Sequence, residues 1–599
     1  MQYSPWCGRV WICLLLFGVG ACSGSKRTAD ATPPANTPIT PPITPPTPSK
    51  SRVADIAVDT NRDGQITHDD DVNEDTWTAT RGAIFVANVD DDDRKGAVDA
   101  SDQIVNGGKD IDDLVPVLLR QADGLTSNDT VYLTVTPDAA AKRVRLFGLD
   151  GANKLTSVYR PGAQRLQISA TRLQQGDVQL WLEAIEGRSV DWDGTVALTL
   201  VFDAAGQKVS SNTATLRAAP VVFPADTQPA HRVYVMKVTD PQNGPNLDFY
   251  NDLAANLKTG INLTTVSERD YFGDRWVQDN MQTGYQEWPA ASGRKQMPTY
   301  LQTQRPTGPQ GLEHLLPQHL LGPDLGYMFP GGQESSHNYG GNLEVAPPHP
   351  DFPLGRIVVG GGDLGSLMGV RVPDHMARQQ RQWLDAQEVQ GPSIEISTEW
   401  LAVGHVDEIL LFVADRHSAN GRAWKVIMAA PHLARQQLAA LQSSGHGDLV
   451  VFRGRRAETT VAGILNNAPL MAVNQAAQAR IDGVRVQLKQ ALALQDADFL
   501  EVPVLFESAD YNGVDLAVAY NPGMDNLLLA GDTLFIPDPE GPDPGTGDVW
   551  KTATTQALEP LGLALRFENV FESYHELMGE VHCGTNVEHD PYAKAWWLP

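Results

Sequence analysis

HRVYVMKV (His231–Val238), LDFYNDLAANLK (Leu247–Lys258) and INLTTV (Ile261–Val266) follow one another along the chain. The first is apolar and rich in β-branched residues and reads as a strand. The second carries its apolar residues at helical spacing, and the third reads as a strand again. Strand, helix and strand in succession are the start of an α/β domain. The alternation continues downstream with Arg356–Gly360 (strand), Asp374–Val389 (helix), Trp400–Val413 (strands flanking a turn), Leu433–Leu441 and Val473–Leu494 (helices) and Phe499–Phe506 (strand). One large α/β unit and a ring of small ones both fit this pattern.

Upstream, the texture differs. Residues 128–218 hold short strand-like runs at Thr130–Val135, Arg143–Phe147, Arg165–Ile168, Val178–Leu182 and Val196–Phe202, separated by turn residues. Short strands at such spacing suggest a β-sandwich. Residues 51–113 hold 17 acidic and 6 basic side chains. Asp59, Asn61, Asp63 and Gln65, with Gly64 at the sharp turn and Asp70 at the twelfth position, follow the oxygen-ligand spacing of a calcium loop. Carboxylates this dense repel one another and need a counter-ion to fold compactly. A second cluster contains Asn88, Asp90, Asp91, Asp92 and Asp93, followed by Asp99, Asp102, Asp110, Asp112 and Asp113. Asn88, Asp90 and Asp92 are its candidate Ca2+ ligands.

The whole chain has 599 residues, 42% hydrophobic, with net charge −27. That length suits two to four domains. The charge argues against a nucleic-acid binder and suits cationic partners, whether metal ions or arginine-rich proteins. Four cysteines, Cys7, Cys13, Cys22 and Cys583, are too few for a disulfide scaffold. Arg9 precedes the apolar run Val10–Val19, too short to span a bilayer, which ends in Val19-Gly20-Ala21-Cys22. This resembles a bacterial lipoprotein signal, which implies acylation of Cys22 and, with Ser23 next, an outer-membrane anchor. Eight of the twenty residues Ala31–Lys50 are Pro, as in an extended tether. The resulting division is 1–21 signal, 22–50 tether, 51–222 calcium-binding β-sandwich and 223–599 catalytic α/β domain.

Four polar clusters carry chemistry: Asp274–Asp279, Gly341–Glu344, Gly404–Glu408 and Gly579–Asn586. His405 and Asp407 are two apart, so on a strand they would face one way. Together with Cys583 and Asp279 they would make a Cys/His/Asp/Asp site. A thiolate attacks electrophilic carbon and His relays protons. Two carboxylates suit guanidinium, a planar cation with donors on two edges.

The blocks DRWVQD, GGNLEV, VGHVDE, NPGMDNLLL and GEVHCGTNV, with Trp596-Trp597-Leu598-Pro599, resemble the catalytic domain of protein-arginine deiminases. The segment from about Val53 to Val115 resembles their calcium-binding immunoglobulin-like domain. The resemblance implies an immunoglobulin-like β-sandwich followed by an α/β propeller of five ββαβ modules, the pentein fold. It implies Cys583 as nucleophile, His405 as general acid/base, and Asp279 and Asp407 as guanidinium ligands. It puts Val403 and Arg305 at the substrate. Trp276 either lies along the substrate's aliphatic stem or is plain core. A catalytic-half calcium site would take Gln278, Gln282, Glu344 and carbonyls at Gly340 and Leu343. The expected activity is conversion of peptidyl-arginine to peptidyl-citrulline. The alternatives are a deiminase of free arginine or agmatine, and a non-catalytic calcium-dependent surface-binding protein. Oligomeric state is not legible.

Overall fold

The computed structural model describes residues 50–308, 310–362, 366–367, 370–371, 375–418, 422–511 and 514–598. The signal, Cys22 and all but the last residue of the tether lie outside the described residues.

Two five-stranded sheets make up the first half. One runs Ile56–Ala57, Val115–Leu119, Val178–Ala184, Val144–Leu149, Leu155–Tyr159; the other runs Ala83–Phe85, Gln207–Ala218, Thr195–Ala204, Asp129–Thr136, Leu166–Ile168. Period-two alternation builds their shared core. Val131, Leu133 and Val135 point inward from one strand, and Val196, Leu198, Leu200 and Phe202 from its neighbour, with Leu133 opposite Leu200. The strand Gln207–Ala218 escaped the sequence reading because its first half, Gln207 to Thr213, is polar and largely exposed. Only Ala214, Leu216 and Ala218 of its second half carry the apolar alternation.

From Ala230 onward the chain forms five small sheets with one repeated pairing: a central strand has an antiparallel neighbour on one side and a parallel one on the other. The central strands are Ala230–Lys237, Gly293–Gln302, Arg356–Gly361, Trp424–Ala429 and Thr533–Pro537. Parallel pairing demands a crossover. Helices Arg378–Ala386 and Val549–Leu558 supply two of these, and Pro431–Ser443 with Ala468–Ala491 a third. The antiparallel partner of Ala230–Lys237 is Thr585–His589, so the end of this region closes on its beginning, with Val235 opposite Thr585.

Helix boundaries shift by a few residues from the sequence reading. Asp374–Val389 is helical only over Arg378–Ala386, and Val473–Leu494 is helical over Ala468–Ala491. Phe499–Phe506 is not one strand. Phe499–Val502 ends before Pro503, which has no N–H to give a ladder, and Phe506–Tyr511 pairs elsewhere.

The two halves share one apolar cluster, in which Phe223, Trp383 and Tyr592 pack with sandwich residues. Trp77 of the sandwich stacks on Trp596 with centroids 5.9 Å apart. Gln286 bridges to Ala87 through both its amide oxygen and its amide nitrogen.

Candidate functional site

Asp279 sits in the short helix Val277–Asn280. The amide of Gln278 donates to the Cys583 carbonyl, which holds this helix against the turn before Thr585–His589. His405 and Asp407 do not lie on a strand. His405 caps the 3-10 turn Val406–Glu408, and the strand Leu410–Ala414 begins after it. The reason is local: the Glu408 carboxylate accepts the His405 backbone N–H at 2.8 Å and closes the turn. Both side chains still face one site by this different route.

His405 Nδ1 lies 3.8 Å from Asp279 Oδ1 and 3.8 Å from Asp407 Oδ1. All three of these atoms are buried and have no hydrogen-bond partner. The other ring nitrogen, Nε2, is 3.0 Å from the Ser336 carbonyl. A carbonyl only accepts, so Nε2 carries the proton and Nδ1 is left to take or give one. Cys583 Sγ lies 3.5 Å from Asp407 Oδ2 and receives the Asn526 side-chain N–H at 3.2 Å. Asn526 also donates to the Asp407 carbonyl and accepts from the His582 and Cys583 amides, so one amide side chain fixes both. Its role was not read from sequence, although it lies inside the NPGMDNLLL block.

Burial pushes the Cys583 thiol well above its ordinary range, and the Asp407 and Asp279 carboxylates push it further. Burial likewise raises Asp279 to about 6, against the pull of His405 and Arg305. The site therefore disfavours its own thiolate until a cation enters between the carboxylates.

Arg305 forms a two-pronged pair with Asp274, and its Nε is 3.5 Å from Asp279 Oδ2. Val403 is half-buried in the loop leading to Gly404 and His405. Trp276 is half-buried, edge-on to Tyr574 at 5.8 Å, and a Cβ at Gly579 would strike its ring.

In the first acidic loop the side-chain oxygens accept backbone N–H groups of the loop itself. Asp70 spends Oδ1 on the Thr60 and Asn61 amides and Oδ2 on the Thr67 amide. Asp59 accepts from Asp63 and Gly64, Asn61 from Asp63, and Asp63 from Gln65. Among the described residues, the acidic side chains of the first half that converge within 4.8 Å are Asp90/Asp92/Asp113, Asp91/Asp93/Asp99 and Asp55/Asp71/Glu74. Asp59, Asp63 and Asp70 form no such group. The second cluster fits a cation better. Both Asp92 carboxylate oxygens and Asp90 Oδ1 are buried without hydrogen-bond partners. Asn88 gives its amide nitrogen to Asp110 and Glu183, and its Oδ1 is likewise buried without a hydrogen-bond partner.

In the catalytic half, Gln278 donates to Gln282 at 3.4 Å, and the Gly340 carbonyl accepts the Leu343 amide. Two of the oxygens expected to converge there, Gln282 Oε1 and the Gly340 carbonyl, thus accept N–H groups. Glu344 instead converges with Asp226, absent from the sequence reading, and with His582, which that reading placed in the Gly579–Asn586 cluster without a role. Burial works against charge on His582, but its hydrogen bond to Asp407 and the carboxylates of Glu344 and Asp226 raise it to about 9.

Burial, reinforced by neighbouring carboxylates, raises Asp90 to about 8, Asp113 to about 7 and Asp92 to about 6, from 3.8. The folded protein then holds protons that the unfolded chain has released. Stability without divalent ions therefore falls as pH rises from about 4 to 8. With chelator present, Tm should be at least about 2 °C lower at pH 8 than at pH 6, and millimolar calcium at pH 8 should recover the difference. A scanning-calorimetry series in which chelated Tm does not fall with pH would show a freely solvated cluster.

The family model described as "Protein-arginine deiminase (PAD)" matches residues 208–598. Protein-arginine deiminase type-4 of Mus musculus is 33% identical over 546 residues, 87% of this chain and 79% of the relative. Protein-arginine deiminase type-1 of Homo sapiens is 32% identical over 565 residues, 90% of this chain and 82% of the relative. A solved agmatine deiminase of C. jejuni covers 62% of this chain and 96% of its own at 10% identity, with a TM-score of 0.33, too low to bear on the reading.

Proposed function

The chain belongs to the protein-arginine deiminase family, and we propose that Cys583, His405, Asp279 and Asp407 carry its hydrolysis of peptidyl-arginine to peptidyl-citrulline and ammonia. The observation behind this assignment is the pair of unpartnered oxygens, Asp279 Oδ1 and Asp407 Oδ1, each 3.8 Å from His405 Nδ1, with Cys583 Sγ beside Asp407. Two buried, unsatisfied carboxylate oxygens cost free energy alone and are repaired by a planar cation with donors on both edges.

The guanidinium enters between the carboxylates and its charge brings the Cys583 thiol down toward ionisation. The thiol proton passes to His405 Nδ1 as Sγ attacks the guanidino carbon. The C–N bond to the leaving nitrogen breaks as His405 Nδ1 delivers a proton to departing ammonia. Water then gives a proton to His405 Nδ1 and attacks the thiouronium carbon. The C–S bond breaks as the added hydroxyl gives its proton to the sulfur, which restores the Cys583 thiol and leaves the urea carbonyl of citrulline, and His405 Nδ1 releases its proton to solvent. Asn526 holds the sulfur in place throughout. Arg305, paired with Asp274 beside Asp279, is the cationic donor at the mouth and suits a peptide carbonyl on the substrate.

The five repeated sheets are, in this reading, five ββαβ modules of a propeller closed by Thr585–His589, and the two-sheet unit before them is an immunoglobulin-like sandwich. Calcium at Asp90, Asp92 and Asp113 would neutralise crowded carboxylates at the junction of the halves, where Lys295 reaches Asp113 and the Asp324 amide reaches Asp90.

The test is citrulline release from a blocked arginine amide and from free arginine. The blocked substrate should win by at least about tenfold in kcat/KM, since free arginine adds a carboxylate and an ammonium that the site must desolvate. Equal or reversed preference would move the assignment to a deiminase of the free amino acid.

A further inference from the structure

One histidine next to the nucleophile is not used by the mechanism above. His582 Nδ1 lies 2.9 Å from Asp407 Oδ2, so its Nε2 faces the other way. On that side, single ligand atoms of His582, Asp226 and Glu344 lie within 4.8 Å of one another. Glu344 is 4% exposed, and its Oε1, 3.9 Å from His582 Nε2, is buried without a hydrogen-bond partner. Asp226, Gln278, Gln282 and His582 line a cavity of about 10 Å³, room for one water-sized sphere. The three ligand residues come from distant parts of the chain: the approach to strand Ala230–Lys237, the strand Leu343–Ala346 and the turn before Thr585–His589.

We propose that Asp226, Glu344 and His582 Nε2 form a site for a first-row transition-metal dication, such as Mn2+ or Zn2+. The site shares Glu344, Gln278 and Gln282 with the oxygen-only calcium set read from sequence, but an imidazole nitrogen and the Asp226 carboxylate now face it. Calcium takes oxygen ligands, six to eight of them, whereas a mixed set of one imidazole and two carboxylates suits Mn2+, Fe2+, Co2+ or Zn2+. His582 already has the outer partner that metal-bound histidines use: its far nitrogen is held by a carboxylate. That carboxylate is Asp407. The ion would therefore fix the ring of His582 and, through it, the orientation of the acid beside Cys583. The existence of the site does not rest on the deiminase reading; its influence on the guanidinium grip does.

The test uses the purified full chain, stripped with chelator, desalted and loaded with one equivalent of Mn2+ in about hundredfold excess of Ca2+, which occupies oxygen-only sites. Pulsed EPR should show 14N modulation from one coordinated imidazole. The isosteric variant Asp226→Asn should bind this Mn2+ at least about tenfold more weakly in a titration of free Mn2+. Absence of 14N modulation in wild type, displacement of Mn2+ by the calcium, or an unchanged affinity in Asp226→Asn would overturn the proposal. The first two outcomes would leave His582 as a proton-bearing bridge between Asp407 and Glu344, and the third would remove Asp226 from the site. If Asp226→Asn does not fold, the wild-type spectrum under calcium competition decides alone. Because the readouts are spectra and affinity, a failure here is distinguishable from a failure of the catalytic assignment.

Discussion

Replacing Cys583 by serine should lower citrulline formation by about 10⁴-fold or more, with the fold intact. The environment that already holds the thiol up, burial with Asp407 and Asp279 alongside, opposes an alkoxide far more strongly. A bound guanidinium lowers both, but a thiol, with its ordinary value of about 8.5, is far more acidic than an alcohol, so only the thiol is brought within reach of ionising. Serine fits the same space, and the Asn526 side-chain N–H can donate to its oxygen as it does to sulfur at 3.2 Å. Thermal unfolding should therefore be within about 2 °C of wild type. A variant that makes citrulline within tenfold of the wild-type rate would remove Cys583 from the chemistry.

Most of that site was legible because its residues lie in compact polar blocks inside apolar surroundings. His405, Asp407, Asp279 and Cys583 converge as the blocks suggested, although the His405 pair reaches the site from a 3-10 turn instead of a strand. A side-chain cap decided that turn, and period-two reasoning has no term for it. Asp226 was invisible for a different reason: it is one acid in an unremarkable stretch, and only the closure of Thr585–His589 onto Ala230–Lys237 brings it to His582. In the acidic region, spacing gave the loop but not the direction of its carboxylates. Backbone amides reach the carboxylates of Asp59 and Asp70, while in the less regular second cluster Asp90 Oδ1 and both Asp92 oxygens have no hydrogen-bond partner. The strand alternation told where the sandwich lies, and failed for Gln207–Ala218, where exposure erased the pattern.

Gly341→Ala should cost about 100-fold or more in kcat/KM while leaving the protein folded. A Cβ at this position would lie 2.6 Å from His405 Nδ1, 2.8 Å from Asp407 Oδ2 and 3.1 Å from Asp407 Oδ1. The methyl group would thus stand in the space where the guanidinium meets its partners. His405 and Asp407 must both move to admit it, and a shift of about 1 Å in reacting groups is enough for a hundredfold loss. The neighbouring Asn342, which holds the Gly360 backbone through both ends of its amide, keeps the segment in place and prevents the backbone from drawing back. Steady-state kinetics alongside a melting curve would check this. Activity within threefold of wild type would mean that the floor of the site is elsewhere.

The strand that follows Cys583 finds its partner at the opposite end of the catalytic half, Thr585 beside Val235. A ribosome-bound chain that has not yet reached residue 583 has the two acids and the histidine but neither the sulfur nor the strand that pairs with Ala230–Lys237. Under the assignment proposed above, such a fragment can grip a guanidinium before it has the group that attacks one.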